Sequence, residues 1–192
     1  MAITKWVADP AHSEVQFKAR HLMITTVTGY FRKFNLEVET EDDDFTRAGR
    51  IEFTADINSI DTNNAQRDTH LKSDDFFAAE KYSQLRFTGK KIQEQGDEYI
   101  LEGDLTIRDV TKPVSLQVDF TGTVIDPYGQ VKAGFTVDGK VRRKEFNLTW
   151  DAMTEAGQVV VSNDIRVHAE IQLIKQQEET TVTKEKTEEA QA

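Results

Sequence analysis

The stretch Asp164-Ile165-Arg166-Val167-His168-Ala169-Glu170-Ile171-Gln172-Leu173 decides the fold. Apolar and polar residues alternate at every step. Successive side chains of a β-strand point to opposite faces, so the pattern is a strand with one dry and one wet side. The same period-2 signal recurs upstream. Val15, Phe17 and Ala19 alternate with Glu14, Gln16 and Lys18. Ile51, Phe53, Ala55 and Ile57 form another set, Leu85 and Phe87 a third, and Val114, Leu116, Val118 and Phe120 a fourth. Turn-forming clusters punctuate the chain at Asp9-Pro10, Gln95-Gly96-Asp97, Asp126-Pro127-Tyr128-Gly129, Asp138-Gly139 and Ala156-Gly157. Counting through these breaks gives roughly eight strands, the number at which an up-and-down sheet closes into a barrel able to hold one small ligand. The expected fold class is all-β: a single eight-stranded antiparallel β-barrel with short helices beside it.

One stretch interrupts the alternation. Ser59-Ile60-Asp61-Thr62-Asn63-Asn64-Ala65-Gln66-Arg67-Asp68-Thr69-His70-Leu71-Lys72-Ser73-Asp74-Asp75-Phe76-Phe77 is dense in polar groups yet ends in adjacent phenylalanines. A connecting loop has no need of Phe76-Phe77. A lid that faces water on one side and an apolar cavity on the other needs both kinds of residue. Two short helical pieces are expected within Asn63–Lys81. Asn63 or Asn64 would cap the first and Ser73 the second, with Asp74 and Asp75 favouring its N-terminus.

The chain has 192 residues, 24 basic against 34 acidic, for a net charge of −10. Such a chain repels nucleic acid and anionic surfaces, and its strongest basic cluster, Arg142-Arg143-Lys144, is too short to reverse that. Cysteine is absent, which excludes disulfides and thiolate chemistry. No apolar run reaches membrane-spanning length. Met1–Trp6 lacks the apolar core of a signal peptide, and the expectation is a cytoplasmic protein. The chain divides into residues 1–174, the barrel, and residues 175–192, an acidic tail. That tail has one aliphatic residue larger than Ala and is either disordered or a marginal helix leaning on a neighbour.

Four histidines occur, at 12, 21, 70 and 168. None has a second histidine or a carboxylate cluster at metal-ligand spacing, so no metal is expected. His168 falls on the polar phase of its strand and reads as a surface residue. His21 and His70 flank the elements of the cavity; each serves either a ligand or a structural hydrogen bond. Arg67 and the 142–144 cluster suit an anionic or carbonyl head group at a cavity mouth, or an ion pair with Asp68 or Asp61. No nucleophile elbow, phosphate-cradling loop or dinucleotide fingerprint appears, and the chain reads as a non-enzyme without cofactor. Eleven phenylalanines stand against two tryptophans and four tyrosines. On the dry faces they fit a packed core as well as a cavity wall.

A resemblance separates those two. Trp6-Val7-Ala8-Asp9-Pro10-Ala11-His12-Ser13-Glu14-Val15-Gln16-Phe17 is similar to the opening of the YceI-like family. So are Gly29-Tyr30-Phe31, Ser59-Ile60-Asp61-Thr62-Asn63 with Arg67-Asp68, His70-Leu71 and Asp75-Phe76-Phe77. The likeness runs on through Gly103-Asp104-Leu105-Thr106-Ile107, Val110-Thr111-Lys112-Pro113-Val114 and Phe146-Asn147-Leu148, and spans about Trp6 to Leu173. Many members carry Gly in the late strand where this chain has Glu145-Phe146-Asn147. True lipocalins show a Gly-x-Trp near the start, so the likeness to them is one of architecture.

The resemblance implies an extended, lipocalin-like antiparallel β-barrel holding a long apolar chain, typically a polyisoprenoid such as a quinone or polyprenyl phosphate, and a homodimer. It implies binding, storage or transport of an amphiphile. The alternatives are an enzyme or sensor in the same cavity, or a solid-cored interaction protein. The residues expected to hold the apolar tail are Phe17, Phe31, Phe53, Ile57, Leu71, Phe76, Phe77, Phe87, Leu105, Leu116, Phe120, Phe135 and Phe146. Those expected at the head group are Arg67, His70, His21 and Arg142.

Overall fold

The computed structural model describes residues 2–177. Eleven strands form one sheet: β1 (Ile3–Ala8), β2 (Glu14–His21), β3 (Thr25–Phe31), β4 (Phe34–Glu41), β5 (Asp44–Asp56), β6 (Ile60–Asp61), β7 (Gln84–Gln95), β8 (Glu98–Ile107), β9 (Val110–Ile125), β10 (Val131–Arg142) and β11 (Asp164–Lys175). The order β1-β4-β5-β7-β8-β9-β10-β11 returns to β1 through Trp6↔Lys175, Val7↔Ile174 and Ala8↔Leu173. This is the expected closed eight-stranded antiparallel barrel. Lys175, assigned to the tail from sequence, is the last residue of β11. The acidic tail from residue 178 lies outside the described residues.

The three extra strands are continuations. β1 pairs with the C-terminal end of β11, and β2 pairs with its middle from Glu14↔Glu170 to Lys18↔Arg166. The two therefore act as one long strand broken at Asp9–Ser13. Buried Asp9 stitches the break. Its carboxylate accepts from the Ala11 N–H at 3.0 Å and lies 2.8 Å from His12 Nδ1, with Gln172 Nε2 at 3.2 Å. The hydrogen bond from His12 leads in holding the Asp9 carboxyl below its ordinary value of 3.8, against the opposing effect of burial. This join therefore loses strength as pH falls through the carboxylate range. In the same way β3 continues into β4, and β5 into β6 through a 3-10 turn at Ile57–Ser59 capped by Asp56.

The ladder between β10 and β11 runs unbroken from Lys132↔Ile174 to Arg142↔Asp164. At about 3.4 Å per residue and the usual barrel tilt, it spans about 25 Å of axis. The Arg142 end is here called the upper end. There β9 and β10 part company, because their pairing stops at Asp138↔Gln117. Phe146 and Leu148, buried at 1% and 4% exposure, pack in the upper core with Val110 and Val114 of β9.

Asp138-Gly139, expected as a turn, lies inside β10 opposite His168 and Val167. A Cβ on Gly139 would stand 2.4 Å from Leu116 Cδ2, so the glycine admits a close-packed side chain and reverses nothing. Gly29 plays a similar part: it faces Phe17 across the β2–β3 ladder, and the Phe17 ring covers it at 2.2 Å from a would-be Cβ.

Among the described residues one α-helix forms, α1 (Ala65–Lys72), and Asn64 caps it by accepting from Arg67 N at 2.9 Å. The second expected piece does not form. Ser73 ends α1, its hydroxyl donating to His70 O at 2.6 Å. Residues 74–82 run in turns through Ala78, whose φ of 48° lies outside helical space. No described helix is long and apolar enough to cross a membrane.

Candidate functional site

The barrel encloses a cavity of about 490 Å3, within the range of roughly 300–1,000 Å3 typical of small-molecule sites. Its wall follows from strand periodicity. Ile165, Val167, Ala169, Ile171 and Leu173 of β11 all face it, as do Val15, Phe17 and Ala19 of β2. Their polar neighbours face water.

At the lower end an aromatic plug closes the tube. Phe45, from the start of β5, stacks on Trp6 and Phe135 at 4.8 Å each and on Phe120 at 5.8 Å. Beside it Trp6 Nε1–H donates to Thr40 Oγ1 at 3.1 Å, with both residues fully enclosed. At the upper end stands the lid. His70 meets Trp150 edge-on at 4.8 Å and Phe76 at 5.1 Å, while Phe77 meets Phe31 at 6.2 Å. The exposed members of the wall are Arg20, His21 and Arg67, all at this end. The mouth therefore opens between the β2–β3 hairpin, α1 and the segment 147–163.

Thirteen of the residues expected from sequence lie on this wall: Phe17, His21, Phe31, Phe53, Arg67, His70, Leu71, Phe76, Phe77, Phe87, Leu105, Leu116 and Phe135. Four lie elsewhere. Ile57 has left its strand for the 3-10 turn and packs in the upper core, 2% exposed. Phe146 packs in the same cluster. Phe120 precedes a bulge at Thr121, where the register slips between Gly134 and Phe135, and is left 43% exposed behind the plug. Arg142 is on the outside, with Asp164 at 3.8 Å and Glu145 at 3.9 Å.

The buried cation of the cluster is Arg143. Its guanidinium donates to the carbonyls of Ser162 (2.9 Å), Leu148 (2.7 Å), Trp150 (2.7 Å) and Val161 (3.2 Å), and to Asp151 Oδ1 at 2.7 Å. It ties the mouth segment to the barrel. Asn147, with φ of 61°, ends the 3-10 turn that carries it. Hydrogen bonding from Lys144, then from Arg143, holds the Asp151 carboxyl below its ordinary value, and burial opposes them.

Arg67 pairs with neither aspartate directly. Nε and Nη2 donate to Thr62 Oγ1 and O at 2.7 and 2.6 Å, and the Thr62 hydroxyl donates in turn to Asp68 at 2.6 Å. Asp61 is engaged by Arg32. His70 Nε2 lies 2.9 Å from Asp75. His168 sits between Asp138 at 2.6 Å and Glu170 at 3.1 Å, and the bond to Asp138 raises its pKa from the ordinary 6.5.

Sequence reasoning missed Phe45, Trp150, Val160 and Val161 on the wall, because none sits in a long alternating run. Trp150, isolated in a polar loop, was the available signal: a large apolar side chain without strand context has to cover something.

A closed antiparallel barrel around a continuous apolar cavity, with a lid over one end, defines a cavity-enclosing barrel of lipocalin-like architecture. Residues 6–173 match the YceI-like domain, and the chain belongs to that family. It is 39% identical over 140 residues to Protein YceI of Salmonella newport, covering 73% of each chain. Among solved structures it resembles Burkholderia cenocepacia BcnA, with a TM-score of 0.74 at 20% identity over 86% of this chain and 98% of that one. It also resembles a polyisoprenoid binding domain from Saccharophagus degradans, with a TM-score of 0.63 at 15% identity over 89% and 98%.

Proposed function

We propose that the protein binds a long-chain amphiphile, a polyisoprenoid such as a quinone or polyprenyl phosphate, and stores or transports it without turnover. The observation that carries this reading is the continuous apolar wall from the Phe45–Phe135 plug to the mouth at Arg20 and Arg67. The apolar tail lies along the tube and the head group rests at the mouth, within reach of Arg67, His70 and His21. Membership of a family with a polyisoprenoid-binding structural neighbour supports the class of cargo. Homodimer formation belongs to the same proposal.

Burial of apolar surface contributes roughly 25 cal/mol per Å2, so affinity is set by tail length. A titration of quinones with increasing isoprenoid number, followed by tryptophan fluorescence, is expected to show affinity rising with each unit until the tube is full. Affinity independent of tail length would remove the barrel interior as the binding site.

A further inference from the structure

We propose that the tip of the β2–β3 hairpin, with Met153 beside it, is a docking surface for a zwitterionic lipid bilayer, from which cargo passes into the barrel. The inference rests on the carrier reading above. Met23, Ile24 and Met153 are 55%, 75% and 66% exposed. Their backbones adjoin: Leu22 N–H donates to Val160 O at 2.8 Å, Val160 N–H to Ala152 O at 3.0 Å, and Met153 pairs with Val159. Val160, Arg20 and His21 of the same group belong to the cavity wall. Exposed apolar residues thus gather at the mouth of an apolar tube.

The hairpin backbone makes a second, independent point. His21 O accepts from Ile24 N at 3.1 Å across a two-residue turn whose central residues, Leu22 and Met23, have φ of 52° and 60°. Such turns favour Asn, Asp and Gly, because a bulky side chain is strained at positive φ. This chain follows that preference in the β4–β5 hairpin, where Asp42 and Asp43 hold φ of 49° and 65°. At the mouth it places Leu and Met instead. Strain accepted at an exposed tip marks a position selected for something other than folding.

A bilayer is the partner that suits this surface. The tip is convex and apolar, so it inserts, whereas a peptide needs a groove. Acyl chains at the mouth let an apolar cargo cross without meeting water. The chain carries a net charge of −10, and Asp151 and Glu155 stand in the loop that carries Met153. Of the cations at the mouth, Arg20 donates to Met23 O and Arg67 to Thr62, so in a chain of this net charge attraction comes from apolar insertion rather than from anionic lipid.

The test is co-sedimentation with phosphatidylcholine vesicles. The Met23→Ser/Ile24→Ser variant is expected to partition at least about tenfold more weakly than the unaltered protein. A control variant, Val124→Ser/Ile125→Ser, removes an equally exposed apolar pair from the lower end, where Ile125 faces Val131, and is expected to partition normally. Uptake of a quinone from detergent micelles is expected to be unchanged in both variants. Its failure in the unaltered protein would count against the carrier reading, while vesicle partition is read separately. Equal partition of the tip variant and the unaltered protein overturns the docking surface, as does no partition by either. So does a tip variant that loses a dimer in light scattering yet keeps its vesicle partition, since the patch then serves a second copy.

Discussion

Arg143→Ala is expected to lower stability by about 3–5 kcal/mol, the range for removing one partner of a buried charge network. The guanidinium, 3% exposed, satisfies four carbonyls and one carboxylate at once. Without it the carbonyls of Leu148, Trp150, Val161 and Ser162 lose a shared donor, and each buried acceptor left unpaired costs about 1–3 kcal/mol. Arg143→Lys keeps the charge and loses the fork, so it recovers only a minor part. The neighbouring Arg142 supplies the comparison. Its side chain is 63% exposed beside Asp164 and Glu145, and Arg142→Ala is expected to change stability by less than about 0.5 kcal/mol. Thermal unfolding of the two variants reads the contrast, with about 2–4 °C expected per kcal/mol for a chain of this size. Equal melting temperatures would mean that the mouth segment is not held by Arg143. Because Arg143 also anchors Trp150 and Val161 on the cavity wall, its loss is expected to loosen the mouth along with the fold.

Ala169→Trp is the second large effect, this time on binding. Ala169 faces the cavity midway along β11, with Val15 and Val137 as its cross-strand partners. An indole there projects into open space and divides the tube. Overpacking a full core costs about 1–3 kcal/mol, but the space here is unfilled, so the variant is expected to fold. A long-tailed quinone is expected to bind at least about tenfold more weakly, since half of its buried length is lost. A short-tailed quinone, housed in the upper half, is expected to bind nearly as before. Undiminished binding of the long tail by a folded Ala169→Trp variant would place the ligand outside the barrel.

The dry face of β11 was legible from Ile165 to Leu173 because a regular ladder preserves the two-residue period. The same reasoning failed where the period is interrupted. The bulge at Thr121 interrupts β9 just past Phe120, which faces Phe135 and packs behind the plug at 43% exposure, off the cavity wall, and the 3-10 turn takes Ile57 out of its strand. Arg142 and Arg143 straddle the end of β10 and the start of another such turn. Strand alternation cannot say which of the pair faces inward there, and the inward one proved structural. Asp138-Gly139 has the composition of a turn, yet the glycine is required by the Leu116 side chain of the neighbouring strand β9, a contact that only the pairing register reveals. The lid residues Phe76 and Phe77 were recognisable as apolar intruders in a polar stretch. Their support was not, because Ala78 at positive φ ends any helix that the capping pattern suggests.

The most direct measurement is native mass spectrometry of the protein purified from its own host, with organic extraction and lipid analysis of the same sample. A stoichiometric long-chain isoprenoid amphiphile is expected, released on unfolding and diminished in Ala169→Trp. A protein that emerges empty, and that then takes up neither quinone nor polyprenyl phosphate when offered them, would contradict it.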